Sequence, residues 1–455
     1  MRDGRVNSSS WSTRVARRVA LAIVLCGTIA GLRAAEPAAP ALRWPEIDPA
    51  LRKEEAFGLK FSILLDQRPG AAWKFLESEL KRHPEPYVKG YIAWAYIWGP
   101  SFGMEDRKDL PRGVALAREA AEAGSAIGQE TLGIALGQGL GVAPDQAESV
   151  RLLQQAAQRG SMRALGILGR YAVSGYGVPR DEEEAARKLR RAAELSGEML
   201  GYLLLADAYE NGGRGVPRDL AKAVECYYRI AIYGTRYVEK DFDRLEKLGA
   251  PEVPLYRALA LIHDANEGVW VTKGKVQLAV PVLEQLGGKL AAAQYELGTI
   301  YTVNHWVSHD YKKALGFLNR ARGFGDDRAN YTLAYMRLVG RGMPRDEAGA
   351  LSDLELLSSD GDPNAATLLG AMHYWGSSDA PSLQKDAHKT YEFSRLGAEN
   401  GSLTGLRNLA RCYEEGIGVP RDYLLAAKLY WIAAKRGSRH SDEIAIRISH
   451  FVELP

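Results

Sequence analysis

The sequence predicts an all-α protein, a right-handed α-solenoid of about nine helix-turn-helix repeats with helical caps at both ends. Three observations carry this. The string GVPRD occurs at 177–181, 215–219 and 418–422, with the near copies GMPRD at 342–346 and GVAPD at 141–145. A Leu or Ile followed by a small residue recurs at a basic period of 36. Finally, Gly is abundant at 47 residues and Ala runs are frequent, while Val, Ile and Thr nowhere alternate for long with polar residues. Turns joining helices produce that composition; strands do not.

The repeat rests on four columns. Its anchors are Ile92, Leu132, Leu168, Leu205, Leu261, Leu297, Leu333, Leu369 and Leu409, spaced 40, 36, 37, 56, 36, 36, 36 and 40. The residue after the anchor is Gly or Ala in eight of nine units, Ile262 being the exception. A small residue there lets a second helix approach; otherwise mid-helix Gly costs about 1 kcal/mol against Ala. Seven residues after the anchor stand Gly99, Gly139, Gly175, Gly212, Gly268, Asn304, Gly340, Gly376 and Gly416. Gly and Asn tolerate positive φ, so this column predicts a left-handed helix C-terminus. Beyond it come Asp145, Asp181, Asp219, Asp310, Asp346 and Asp422, with Asp109 and Asp386 after longer loops. These predict the N-caps of a second helix, each worth about 1 kcal/mol. A closing column, Gly124, Gly160, Gly197, Gly234, Gly287, Gly325, Gly361, Gly401 and Gly437, ends that helix. Each unit is thus helix A, a Gly-rich loop, an Asp-capped helix B and a Gly turn. One such hairpin cannot bury its apolar face, so neighbours must stack.

Taken in chain order, residues 1–35 read as an export signal. Arg14, Arg17 and Arg18 precede the fourteen-residue apolar run 19–32, and Ala34-Ala35 suits cleavage. The expected location is periplasmic or secreted after cleavage. The alternative is a protein anchored in the membrane by residues 19–32, although a span needs about 20 apolar residues. Residues 36–87 form N-terminal capping helices, read at 48–66 and 70–82 around RPG. Residues 88–438 are the repeat array, with an insertion at about 235–254 that lengthens a helix or bends the array. Residues 439–455 supply a C-terminal capping helix. Residues 1–35 hold six basic side chains and one acid, so the remainder carries 53 against 55 and a formal charge of −2. No basic patch suits a phosphate backbone, and nucleic acid is not an expected partner. Cys226 and Cys412 are expected as separate buried thiols, not a disulfide.

These columns resemble the Sel1-like repeat family, a relative of tetratricopeptide repeats. The resemblance is closest in 405–437, GLRNLARCYEEGIGVPRDYLLAAKLYWIAAKRG, and in three consecutive units over 126–234. The first, fifth, sixth and eighth units are degenerate around the loop. The resemblance implies an α-solenoid whose helices A line the concave side, and adaptor roles in envelope assembly, polysaccharide export, signalling or host contact. In the family's Tyr column, four after the anchor, stand Tyr96, Tyr209, Tyr301 and Tyr413, expected to pack between helices.

The sequence carries no P-loop, HExxH, G-x-S-x-G or CxxC. No catalytic, metal or cofactor site is predicted. His305 and His309 are four apart but lack further ligands. Ser78–Lys81 and Ser382–Lys385 match S-x-x-K, a pattern two fixed positions long. They leave a β-lactamase-like hydrolase as an alternative, beside a scaffold of an exopolysaccharide secretion complex. The leading expectation is an exported, non-enzymatic scaffold that binds a protein or peptide. Positions two and six after the anchors supply Trp94, Trp98, Arg170, Tyr335, Trp375 and Arg411, residue types favoured in binding hot spots. The competing reading is that the tryptophans are buried between repeats. Arg180, Arg218, Arg345 and Arg421 of the PRD strings have no evident structural duty and read either as a basic ridge or as a solvated loop row.

Overall fold

The computed structural model describes residues 51–104, 108–178, 188, 199–212, 217–232, 238–262, 273–303, 308–436, 438 and 440–452. The expected export signal, Asp181, Arg180 and His305 lie outside them. Among the described residues every regular element is helical. Two compact units result, one ending at Cys226 and including Ile446–Val452, the other running Tyr227–Ala445.

The first unit contains α1 (Arg52–Gln67), α2 (Pro69–Arg82), α3 (Pro86–Trp98), α4 (Leu110–Glu122), α5 (Ala126–Gln138), α6 (Gln146–Gln158), α7 (Met162–Ser174) and α8 (Met199–Asn211). The boundary falls within α9 (Leu220–Ile232). The second unit contains α10 (Val238–Lys247), α11 (Val253–Ile262), α12 (Lys273–Leu286), α13 (Ala291–Val303), α14 (Tyr311–Gly323), α15 (Arg328–Val339) and α16 (Glu347–Ser359). It continues through α17 (Pro363–Trp375), α18 (Ala387–Glu399), α19 (Leu403–Glu415) and α20 (Tyr423–Lys435), and α21 (Ser441–Ser449) follows. Successive helices pack on each other from α1 to α8 and from α10 to α20, and helix A also touches helix A of the next repeat, as in α3 with α5 and α17 with α19. Eight of the nine anchors are buried; Leu261, on α11, is half-buried. The insertion supplies α10, whose Asp243 and Glu246 bind Arg257 of α11 at 2.5 and 3.0 Å.

The Asp column caps helix B as expected wherever it is described. Asp145, Asp219, Asp310, Asp346 and Asp422 accept the N–H three residues on at 2.9–3.0 Å. Asp109 and Asp386 do the same at 3.1 and 3.0 Å. Each Asp also donates its own N–H back to the residue four after the anchor. Examples are Asp145 to Leu136 at 3.2 Å, Asp346 to Arg337 at 3.1 Å and Asp422 to Tyr413 at 2.9 Å. A backbone acceptor needs no particular side chain, which explains why the Tyr column drifts. At three of the four retained tyrosines a helix B cation covers the ring, while Tyr413 meets the Tyr391 ring edge to face. Arg112 lies 4.9 Å from Tyr96, Lys222 5.5 Å from Tyr209 and Lys313 4.4 Å from Tyr301.

Helix A has caps of its own, invisible to the four columns. Ser125, Ser161 and Ser402, each directly after a closing Gly, accept the N–H three residues on. Asp362 takes the same place on α17. Glu54 of α1 reaches the start of α5, accepting from the Ser125 hydroxyl and the Ile127 N–H at 3.0 and 2.8 Å. The capping helix is thereby tied to the second repeat.

The glycines of the loop do two jobs. The first takes the left-handed conformation at the end of helix A, for instance Gly416 at φ 75°. The second, such as Gly418 at φ 67°, also lies against the start of the preceding helix B: a Cβ there would stand 2.2 Å from the Ala387 carbonyl oxygen. Gly141 over Leu110 and Gly342 over Tyr311 repeat the contact. Two expectations are corrected. Gly99 has φ −48°, because Pro100 carries the chain into a 3-10 turn, Gly99–Phe102, and the left-handed residue becomes Gly103. Gly376 has positive φ but extended ψ, 161°, as its longer loop requires.

The PRD arginines also need correction, since they do have structural duties. Arg218 Nε donates to the Glu210 carbonyl at 3.2 Å and Arg421 Nη2 to the Glu415 carbonyl at 3.3 Å. Both are last-turn carbonyls of helix A, left without partners by the helix itself. Arg345 Nη2 reaches Asp379 O of the next repeat at 3.0 Å and Glu347 at 3.2 Å. Exposed but engaged, these three are not a free basic ridge. A second arginine series joins consecutive closing turns: Arg159 donates to the Gly124 carbonyl, and Arg436 to that of Gly401 at 2.8 Å.

Candidate functional site

Positions two, five and six after an anchor share one helix face, away from the anchor's stripe. On α17 and α19 that face stays open. Between them, floored by α18, lies a shallow groove. It brings together two of the expected binding residues, Trp375 and Arg411, and adds Tyr374, Ser394 and Asn408. On the α17 side it is lined by Gly370 and Ala371 beside the two aromatic residues. Gly370 is held against Phe393 and Ser394 of α18, where a Cβ would meet atoms at 3.3 Å.

The Arg411 guanidinium stands 5.6 Å from the Tyr374 ring centroid and 5.8 Å from that of Trp375. The two rings meet edge to face, their centroids 4.5 Å apart. The Tyr374 hydroxyl donates to Glu415 at 2.8 Å, tying α17 to α19. Burial, reinforced by that carboxylate, pushes the Tyr374 phenol up to about 12. Glu415 lies 4.0 Å from Arg411, too far for a strong pair, and the Arg411 side chain keeps 33% of its surface exposed. Ser394 Oγ is fully buried, with the Cys412 thiol as its hydrogen-bond partner. Burial pushes that thiol up to about 11, which keeps it protonated and unreactive near neutrality. Cys226 and Cys412 are both buried and free.

The other four expected residues fare differently. Trp94 and Tyr335 are core residues at 6% and 2% exposure, a correction to their reading as binding positions. Trp94 is covered by Phe61 of α1 and by Phe102, at 5.8 and 5.0 Å between centroids. Tyr335 is enclosed by Leu338, Leu369 and Met372. Trp98 is half-buried with Arg163 5.4 Å over its ring, and Arg170 lies 5.8 Å over Tyr171. Sequence reasoning missed Tyr374, Asn408 and Glu415. Tyr374 sits five after its anchor and Asn408 one before, columns outside the two considered.

For the hydrolase alternative, Ser382 lies before α18 with its N–H held by the Glu347 carboxylate at 2.9 Å, so an acid rather than an amine is its partner. Ser78 is half-buried on α2 and Lys81 exposed. Among the described residues no group of three or more His, Cys, Asp or Glu could hold a metal ion. His309 stacks on Tyr311, centroids 5.7 Å apart.

Capped helical hairpins stacked within each unit, with an open groove on the helix A face, define an α-helical repeat scaffold. The chain belongs to the Sel1 repeat family, whose model matches residues 92–125, 127–161, 162–196, 200–232, 291–322, 327–352, 363–402 and 404–438. The fifth unit, around Leu261, is the one left unmatched, in keeping with its Ile262 and half-buried anchor. Sel1-repeat proteins are in general scaffolds for protein–protein interaction, and the family is typically non-enzymatic. No curated protein matches the chain. Among solved structures, it is similar to a protective antigen present in uropathogenic Escherichia coli strains, which displays an SLR fold. The identity is 22%, covering 83% of this chain and 93% of that one, with a TM-score of 0.33. A Sel1 repeat protein from Oxalobacter formigenes is 21% identical over 93% of this chain and 99% of its own, with a TM-score of 0.29. The family assignment rests on the eight repeat matches.

Proposed function

We propose that the protein is an exported, non-enzymatic scaffold that binds a protein or peptide partner through the open helix A face around Trp375 and Arg411. The carrying observation is the groove between α17 and α19, where an arginine keeps a third of its side-chain surface exposed beside two aromatic rings. Trp, Tyr and Arg are the residue types enriched among the few that dominate the energy of protein interfaces. Export is read from residues 14–35, and the periplasm or the exterior is then where the partner is met.

The test uses the processed full-length chain as bait in envelope extract. A partner retained by the wild type and lost from Trp375→Ala and Arg411→Ala supports the reading. A partner set identical for all three proteins overturns the assignment of the face. Mass spectrometry of the secreted or periplasmic protein checks export. A mature N-terminus near Glu36 is expected, and a chain retaining residues 1–35 in the cytoplasm overturns it.

A further inference from the structure

The groove between α17 and α19 has a chemistry more specific than general stickiness. Its polar groups are of three kinds. Arg411 is the one charged residue lining it. Its guanidinium lies beside Tyr374 and Trp375 and pairs through Nε with Glu415 at 4.0 Å, while the side chain keeps 33% of its surface exposed. Asn408, half-buried at the rim, offers both a carboxamide acceptor and a donor, the pair that matches a peptide group. Ser394 Oγ is buried at the floor, hydrogen-bonded to the Cys412 thiol. Around these lie the Trp375 and Tyr374 rings and the small Ala371.

We infer that this groove takes an extended acidic peptide segment, an Asp or Glu carboxylate seated on Arg411, its main-chain amide read by Asn408 and an adjacent apolar side chain lying against Trp375. The inference rests on the scaffold reading above and names its partner class. Charge complementarity selects the occupant. A single exposed guanidinium with its aromatic supports pre-organised favours a planar anion that accepts two parallel hydrogen bonds. Both rings already carry Arg411 within 6 Å, which leaves them poorly placed to stack on a sugar. One guanidinium and one carboxamide are enough to read a single acidic residue and its neighbour, so the occupant is a short linear segment and not a folded surface.

The experiment uses the full processed chain and an array of fluorescent octapeptides. In them one Phe and one Asp or Glu are set at every mutual spacing. Matched peptides carry Asn, Gln or Lys in place of the acid, and an oligosaccharide of glucuronate serves as an acidic sugar control. Fluorescence anisotropy is expected to show the best acidic peptide binding at least tenfold more tightly than its amide counterpart. Arg411→Gln should bring that ratio to about one without changing the melting temperature. Asn408→Ala should weaken acid and amide peptides by the same factor. Equal binding of acid and amide peptides by the wild type overturns the inference, as does discrimination that survives in Arg411→Gln. Tighter binding of the glucuronate oligosaccharide than of any peptide overturns it too. If no octapeptide binds but the envelope partner is still lost from Trp375→Ala, the acidic-peptide inference fails and the scaffold reading stands. If that partner is also indifferent to both variants, both fail.

Discussion

The N–H of Asp422 donates to the Tyr413 carbonyl at 2.9 Å, while the Asp422 carboxylate accepts the Leu425 N–H at 3.0 Å. One residue therefore closes the loop back onto helix A and starts helix B. The first bond belongs to the backbone and survives any substitution but proline; the second belongs to the side chain. Asp422→Ala is expected to cost about 1 kcal/mol, and Asp422→Asn only a few tenths. Hydrogen exchange at the first-turn amides of α20 measures this directly. Equal losses for both variants would show that charge, and not the cap, matters.

The second loop glycine is constrained twice. Gly418→Ala must hold φ near 67° and place a Cβ against the Ala387 carbonyl. The expected cost is about 3 kcal/mol, from left-handed strain plus overpacking. Gly325→Ala is the control: its φ is 84° but no atom lies within 4 Å of the added Cβ. It should cost only about 1 kcal/mol. Urea denaturation of the two variants, read against wild type, separates close approach from backbone conformation.

The two arginine series differ in burial. Arg436 is 8% exposed and joins α20 to the preceding closing turn through the Gly401 carbonyl. Arg436→Ala is expected to cost about 2 kcal/mol, since the carbonyl and the cavity are both left unfilled. Arg421 lies on the surface, its bond to the Glu415 carbonyl long at 3.3 Å. Arg421→Ala should cost under about 0.5 kcal/mol. Thermal unfolding of both variants gives the order, and its reversal would refute the burial argument.

Between α13 and α15, one buried cation meets two buried carboxylates. Arg328 gives Asp326 two bonds, at 2.8 and 2.5 Å, and Glu296 a single one at 3.3 Å. Burial therefore pushes the Glu296 carboxyl from its usual 4.5 up to about 8. The folded state binds this proton more tightly than the unfolded chain does. The stability it contributes is complete below about pH 4.5 and is lost as pH rises through about 8. Stability of Glu296→Gln relative to wild type should accordingly rise between pH 5 and pH 8. A difference independent of pH would place the ionised form in the core.

Much of this architecture is written in single residues whose role is local. A cap needs only Asp422 and the amide three residues on; a left-handed turn needs only Gly416. The Ser125, Ser161 and Ser402 caps of helix A are as local, and as plain in the sequence directly after each closing Gly. The PRD arginines escaped because their acceptors are carbonyls, which leave no mark in the sequence. The binding face was half legible for a different reason. Trp94 and Trp375 are similar residues on the same face of helix A, yet the first is roofed by Phe61 of a capping helix and the second is not. Exposure is a property of what lies alongside, which a column of one repeat does not encode. Tyr335, enclosed by side chains of the next helix A, makes the same point.

The seat beneath each second glycine also sets where this array can be cut and copied. From Gly141 to Gly177 is 36 residues, and each glycine rests on the first residue of the helix B before it. A duplicated or deleted segment running from one such glycine to the next delivers its own seat and inherits the neighbour's, so every joint closes. Segments that are not a whole number of repeats long put a side chain where none fits. Lengthening or shortening of the protein by recombination is thus quantised, with the glycine acting as the splice mark.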